Sequence, residues 1–268
     1  RPPPISTLLP NTTLFRSTLI KDMGRKWSII YADYAYGQSL NIEGSANLKK
    51  HEAEILSQIP YPMGVTDFVP YILKIPSSTE AMLVICPGTD ILPFYKQLLK
   101  SRVQVNMISS VGAFGSLTPD DFEMLEGFRV GEVFPMNLKY KDTPYVRKYR
   151  ELIGLDEYGK EIGTNTWNLC NYDWYTWEAI SWIKKGIIDS GWESKNDNMK
   201  FIEALEGASV EESLDFWQGP KTMRAQDHQC FVDHWVSQVR KGRLVAERKI
   251  SGKEGIYPPD VDRRKESI

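Results

Sequence analysis

From Lys26 onward the chain alternates short apolar runs with longer stretches of helical spacing, and that alternation leaves few architectures open to it. The runs are Trp27 to Ala32, Ala53 to Ile59, Ala81 to Cys86, Val103 to Ile108 and Phe128 to Pro135. Each has the length of a strand, and the most apolar have the character of strands buried on both faces, as in a parallel sheet. Between them lie helices. Ser39 to Lys50 forms the first. Phe68, Tyr71, Ile72 and Ile75 share one face of a second, which Thr66 or Asp67 can cap and Pro76 ends. Asp90 can cap a third, carrying Ile91, Phe94, Tyr95, Leu98 and Leu99. Thr118-Pro119-Asp120-Asp121 opens a fourth, with a capping hydroxyl, proline in the first turn and carboxylates near the positive helix end. The pattern predicts an α/β fold whose parallel sheet is built from right-handed crossover units.

The pattern changes after Asn137. Tyr145 to Leu155, Thr164 to Lys185 and Asn198 to Leu205 read as helices, punctuated by Gly154, Gly159, Gly163 and Gly186. Cys230 to Val239 and Leu244 to Ile250 read as a hairpin turning at Lys241-Gly242. A polar tail from Ser251 is expected to be loose. No short repeat or low-complexity tract is present.

With 41% hydrophobic and 25% charged residues, the composition is that of a globular protein. A net charge of -2 without a basic cluster gives no reason to expect nucleic acid as a partner. No apolar run approaches the roughly 20 residues that span a bilayer, so the chain is not expected to be integral to a membrane. Cys86, Cys170 and Cys230 lack metal-ligand spacing and read as core residues. His228, Cys230 and His234 with Asp227 and Asp233 could be written as a metal cluster. Strand alternation would separate them, so no metal or other cofactor is expected. Asp227-His228-Gln229 reads as a polar turn or hinge. The glycine-rich dinucleotide loop, the phosphate-binding loop and the nucleophile elbow are all missing, which argues against an enzyme.

In open α/β sheets ligands sit beyond the carboxyl ends of the strands. Three such loops carry suitable residues: Asp33 to Ser39, Pro87-Gly88-Thr89 and Ser109 to Ser116. Tyr34 and Tyr36 offer rings with hydroxyl tips. Pro87, Gly88 and Thr89 allow close approach and supply a hydroxyl. Ser110, Val111 and Phe114 add a hydroxyl, backbone amides and a ring. Among the aromatics Trp167, Tyr172, Trp174, Tyr175, Trp177 and Trp182, the helix start places Asn171 as a further candidate. For each the plainer alternative is packing or turn chemistry: Tyr36 on its helix, the small residues as a turn, the tryptophans as core.

Trp27 to Ala32 followed by Asp33-Tyr34-Ala35-Tyr36-Gly37 resembles the opening of the second lobe in type I periplasmic solute-binding proteins of ABC transporters, in the branched-chain amino acid and amide group. Gly64-Val65-Thr66-Asp67-Phe68 is similar to the start of that family's next helix. Gly219-Pro220, Arg224 and Asp227-His228-Gln229 resemble its closing segment. The resemblance runs from about Lys21 to Ile250 and implies two lobes of parallel sheets flanked by helices, with the first part of lobe one missing. Residues 18–136 would form lobe two, residues 137–221 the remaining, mainly helical part of lobe one, and residues 222–268 the return to lobe two, with hairpin and tail. It also implies capture of a small polar or amphipathic solute (an amino acid, amide or small organic acid), partnership with ABC transporter permease subunits, and a periplasmic or extracellular place, with or without a lipid anchor. An acidic residue that in amino-acid binders meets the ligand's ammonium group is absent after the fourth run; Asp33 or Asp90 could substitute. The same fold would also serve the ligand-sensing domain of a receptor or transcriptional regulator, and an α/β enzyme is a third reading.

Thr7 to Ser17 resembles the translation of a common sequencing adapter, differing from it at two positions. The expectation is that residues 1–17 are non-native and that native sequence begins near Thr18.

Overall fold

Seven strands form one sheet, and a two-stranded ladder stands apart from it. The computed structural model describes residues 17–87, 89–101, 103–110, 119–164, 172–259 and 262–265. A short helix α1 (Ser17–Met23) leads into β1 (Lys26–Ala32), α2 (Ala35–Lys50), β2 (Glu54–Tyr61), α3 (Val69–Ile72), β3 (Ala81–Ile85), α4 (Ile91–Lys100), β4 (Asn106–Ser110), α5 (Pro119–Met124) and β5 (Arg129–Glu132). Then come α6 (Pro144–Ile153), α7 (Tyr172–Ser190), α8 (Asn198–Leu205), β6 (Ser209–Val210), β7 (Lys221–Thr222), β8 (His234–Arg240) and β9 (Arg243–Ile250). The large sheet has the order β2-β1-β3-β4-β5-β8-β9, and β6-β7 is the separate ladder. The first five strands pair in parallel, and β8 and β9 extend the sheet antiparallel.

Strand periodicity divides the core. Ile30, Val84, Val130 and Phe94 belong to one buried cluster, while Trp27, Ile29, Leu83, Ile85 and Ile108 belong to a second. Neighbouring residues of β1 thus enter different clusters, so both faces of the sheet are covered. Each such side chain is worth roughly 1.5–3 kcal/mol on burial. A third cluster, Phe134, Leu138, Val146, Tyr149, Trp174 and Trp217, lies wholly within residues 133–217.

Several elements depart from the sequence expectation: α2 already begins at Ala35 rather than Ser39, and β8 begins at His234 rather than Cys230. β2 runs on through Pro60 to Tyr61, which an edge strand tolerates because a missing N–H need not break a ladder there. The helix expected over Phe68 to Ile75 contracts to α3, since the next amides bond three residues back, Lys74 to Tyr71 and Ile75 to Ile72. The long aromatic helix is seen from Tyr172 and continues to Ser190. The tail is held rather than loose. Gly252 N–H donates to Asp233 Oδ1 at 3.0 Å, and a Cβ on Gly252 would lie 2.7 Å from the Val232 carbonyl carbon. Arg224 pairs with Asp227, donates to the Tyr257 carbonyl, and lies 4.8 and 5.2 Å from the ring centroids of Phe231 and Tyr257. Arg263 N–H closes the contact on the Gln226 carbonyl at 2.7 Å.

The chain leaves the large sheet after Glu132 and rejoins it at His234. Glu132, fully buried, accepts from the Met136 amide at 2.5 Å and so folds the departing segment back on the strand end. Burial pushes its carboxyl up to about 7, against the opposing effect of the Met136 and Ser237 hydrogen bonds. A buried ion pair, Glu178 of α7 with Lys221 of β7, lies further along. Glu178 also accepts from the Gln218 amide at 2.7 Å, Lys221 donates to Gln218 Oε1 at 2.8 Å, and Gln218 Nε2 donates to the Val133 carbonyl at 2.8 Å. One network therefore joins α7, the segment before β7 and the exit from β5.

Candidate functional site

The ends of β1 and β3 emerge side by side because the two strands are neighbours, with Tyr31 opposite Ile85. Asp33 N–H donates to the Tyr61 carbonyl at 2.7 Å and Tyr34 N–H to the Ala32 carbonyl at 2.9 Å, so the chain turns sharply off β1. α2 starts at once, from an extended Tyr34 that contributes no side-chain cap. Gly37 makes this possible: a Cβ there would stand 1.9 Å from the Ala32 carbonyl oxygen. The role is close approach of helix to strand end rather than an unusual backbone angle.

That turn sets Tyr34 and Tyr36 at the strand end with their rings stacked, centroids 5.8 Å apart and planes 27° from parallel. Both are half-buried. Tyr34 packs against the first cluster and Tyr36 against the second, so the pair straddles the rim of the sheet. The packing alternative for Tyr36 is thus partly met, and the ring still reaches the surface.

Thr89 is exposed and Pro87 half-buried in the adjoining loop after β3. Asp90, behind them, is 9% exposed. It opens α4 but its carboxylate does not cap the helix. Instead Oδ2 accepts from the Tyr61 hydroxyl at 3.1 Å and Oδ1 from the Thr89 hydroxyl at 3.2 Å. Asp33, the other acidic candidate, accepts from Gln38 Nε2 at 2.8 Å. Burial pushes the Cys86 thiol up to about 12. Burial first, then Cys86 and Asp90, raise the Tyr61 phenol, and burial, Tyr36 and Asp90 raise that of Tyr34. These phenols therefore remain protonated through the ordinary pH range and can donate as well as accept.

Of the residues picked from sequence, the structure sets Tyr34 and Tyr36 just past β1 and Pro87 and Thr89 just past the neighbouring β3. Gly88, Val111, Phe114 and Asn171 lie outside the described residues, and so does the side chain of Ser110, whose backbone ends β4. Its neighbour Ser109 is turned inward, donating to the Val84 carbonyl at 2.6 Å. Trp174 is buried, whereas Tyr175 and Trp177 are exposed, Trp177 stacking on Trp217 at 5.1 Å. His228 has a φ of 58° within a turn in which its amide meets the Arg224 carbonyl, as the polar-turn reading required. Among the described residues no group of three or more His, Cys, Asp or Glu could hold a metal ion, and no helix is long and apolar enough to cross a membrane. Sequence reasoning missed Tyr61 and Cys86 as supports of the rim. Tyr61 ends β2, two strands away from β3 in the sheet, and only the fold joins it to Asp90, whereas Cys86 directly follows β3 with its thiol buried.

A rim of stacked phenols, a hydroxyl and a buried carboxylate can hold a small, partly apolar molecule by ring contact and hydrogen bonds. The family model for periplasmic binding proteins matches residues 12–243. The chain belongs to the periplasmic binding protein family. The match begins inside the stretch that resembles an adapter. The type I fold of the family is equally evident in solved structures. A periplasmic binding protein from Burkholderia mallei superposes with a TM-score of 0.71 at 16% identity, over 95% of this chain and 65% of its own. A solute binding protein of an ABC transporter from R. palustris, in complex with benzoate, gives 0.69 at 14% identity, over 90% and 63%. A leucine binding protein from Thermotoga maritima gives 0.68 at 14%, over 91% and 66%. This periplasmic binding protein chain thus spans about two thirds of the length of these structures. No curated protein sequence matches it.

Proposed function

We propose that this chain is the larger part of the solute-binding component of an ABC transporter, and that it captures a small polar or amphipathic solute between two lobes. Residues 18–136 and 222–268 form lobe two in this reading, and residues 137–221 belong to lobe one. The observation that carries it is the pair of neighbouring strand ends: stacked Tyr34 and Tyr36 follow β1, and Thr89 follows the adjacent β3. Pro87, Gly88, Ser110, Val111, Phe114 and Asn171 complete the proposed ligand contacts. Closure follows from differential affinity: a ligand that touches both lobes only when they approach shifts the population to the closed form. No bond is made or broken. The closed form then presents its solute to permease subunits, which places the protein in the periplasm or outside the cell. Amino acids and aromatic acids are both in range, since the similar structures include a leucine binding protein and one holding benzoate.

A thermal-shift screen with amino acids, amides and small carboxylic acids tests the reading, because a ligand stabilises by an amount set by its concentration over its dissociation constant. At least one such solute raises Tm, and Tyr36→Ala weakens its binding about tenfold, roughly 1.4 kcal/mol. A screen without any shift, or a Tyr36→Ala protein that binds as before, ends the proposal.

A further inference from the structure

We infer that Asp90 is a positioning residue that fixes the hydrogen-bond polarity of the rim, turning Thr89 into an acceptor and making lobe two selective for the donor-bearing end of a ligand. The inference rests on the solute-binding reading and sharpens it to a ligand class. A threonine hydroxyl has one proton and two lone pairs. Here the proton is spent on Asp90 Oδ1 at 3.2 Å, because a carboxylate oxygen accepts. Thr89 is an exposed residue, so with its proton directed to Asp90 its oxygen offers an incoming group lone pairs only. Asp90 has no freedom to release it. Its other oxygen is engaged by the Tyr61 hydroxyl at 3.1 Å, and both groups are buried.

The electrostatics agree with the geometry. The buried negative charge sits directly behind Thr89 and close enough to Tyr34 to raise its phenol. A carboxylate brought against Thr89 would meet lone pairs and a like charge. A phenol, amide N–H or ammonium would meet an acceptor backed by negative charge, a charge-assisted arrangement. The forfeited helix cap fits the same account. Asp90 occupies the position where a carboxylate ordinarily serves the first turn of a helix, and instead it serves Thr89 and Tyr61. The predicted ligand class is an aromatic or amphipathic molecule whose end at lobe two carries a hydrogen-bond donor.

Two probes of equal size separate the classes: 4-hydroxybenzoate, which bears a donor, and 4-methylbenzoate, which does not. Their dissociation constants for the full chain are measured by ligand-observed NMR, which reaches millimolar affinities. The expected preference for the hydroxyl probe is at least tenfold in the wild type. It is retained in Thr89→Ser, and it falls to within about twofold in Thr89→Val and Asp90→Asn. Thr89 is exposed, so the Ser and Val pair reports even where Asp90→Asn fails to fold. Equal binding of the two probes by wild type, or an unchanged preference in Thr89→Val, overturns the assignment while leaving the solute-binding reading intact. A thermal-shift screen in which no solute of any class binds overturns both.

Discussion

Gly37 and Asp90 show what single residues do at this rim. Replacing Gly37 by Ala puts a methyl group 1.9 Å from the Ala32 carbonyl oxygen, a backbone atom that cannot move without shifting β1. Denaturant unfolding is expected to show a loss of about 3 kcal/mol. Gly64→Ala, at a φ of 78° with open space around the new carbon, should cost nearer 1 kcal/mol. Glu132 yields a pH signature. Its carboxyl titrates near 7 when folded and in the ordinary carboxylate range when unfolded, so the folded state holds its proton longer. Its contribution is therefore fully present at low pH and declines between about pH 4.5 and 7, then stays level, for a total of order 3 kcal/mol. Glu132→Gln should flatten this slope of Tm against pH; an undiminished slope would assign it to other groups. At this scale the positions of Tyr36 and Thr89 were legible, because each follows an apolar run that forms a strand. Asp90 was read first as a cap, since local sequence does not reveal which way a carboxylate turns when a tyrosine from another strand competes for it.

The elements were legible wherever local chemistry determined them. Lys241 and Gly242 both have positive φ, 51° and 69°, the backbone that a two-residue hairpin turn requires. That dipeptide between two strand-like runs placed β8 and β9 together. Parallel pairing of the first five strands followed from their spacing with intervening helices. Contacts between distant elements were not legible, and the network around Lys221 is the clearest case. Nothing near Glu178 in sequence announces Lys221, 43 residues away. Removing one member strands a buried charge, so Lys221→Met is expected to cost about 3–5 kcal/mol. Removing both with Glu178→Leu should recover most of that loss, although the Gln218 amide then needs a new acceptor. A double-mutant cycle by urea unfolding checks this, and additive losses would show that the two side chains do not act as a pair.

On the scale of the whole molecule, the sheet is assembled from two distant parts of the chain, and the tail binds the returning part. Arg224, stacked on Phe231 and Tyr257 and paired with Asp227, is the centre of that attachment. Truncation after Ile250 should lower Tm by roughly 5 °C or more, and Arg224→Lys, which keeps the charge but not the planar fork, should give part of that fall. An unchanged Tm on truncation would mean that the tail only rests on the surface. The polar composition of the tail hid this role, because its anchoring uses backbone groups and one distant arginine. The outer strands have a further property. β9 carries Arg243, Glu247, Arg248 and Lys249 with an irregular register opposite β8, and β2 ends through Pro60. Such edges resist growth by strand addition. Apolar side chains are exposed on the helices instead, as on α7, where Ile180, Ile183 and Ile188 are each more than half exposed. In concentrated solution, then, molecules of this chain would adhere through helices rather than through strands. Their clusters would dissolve in mild detergent and leave amyloid dyes dark.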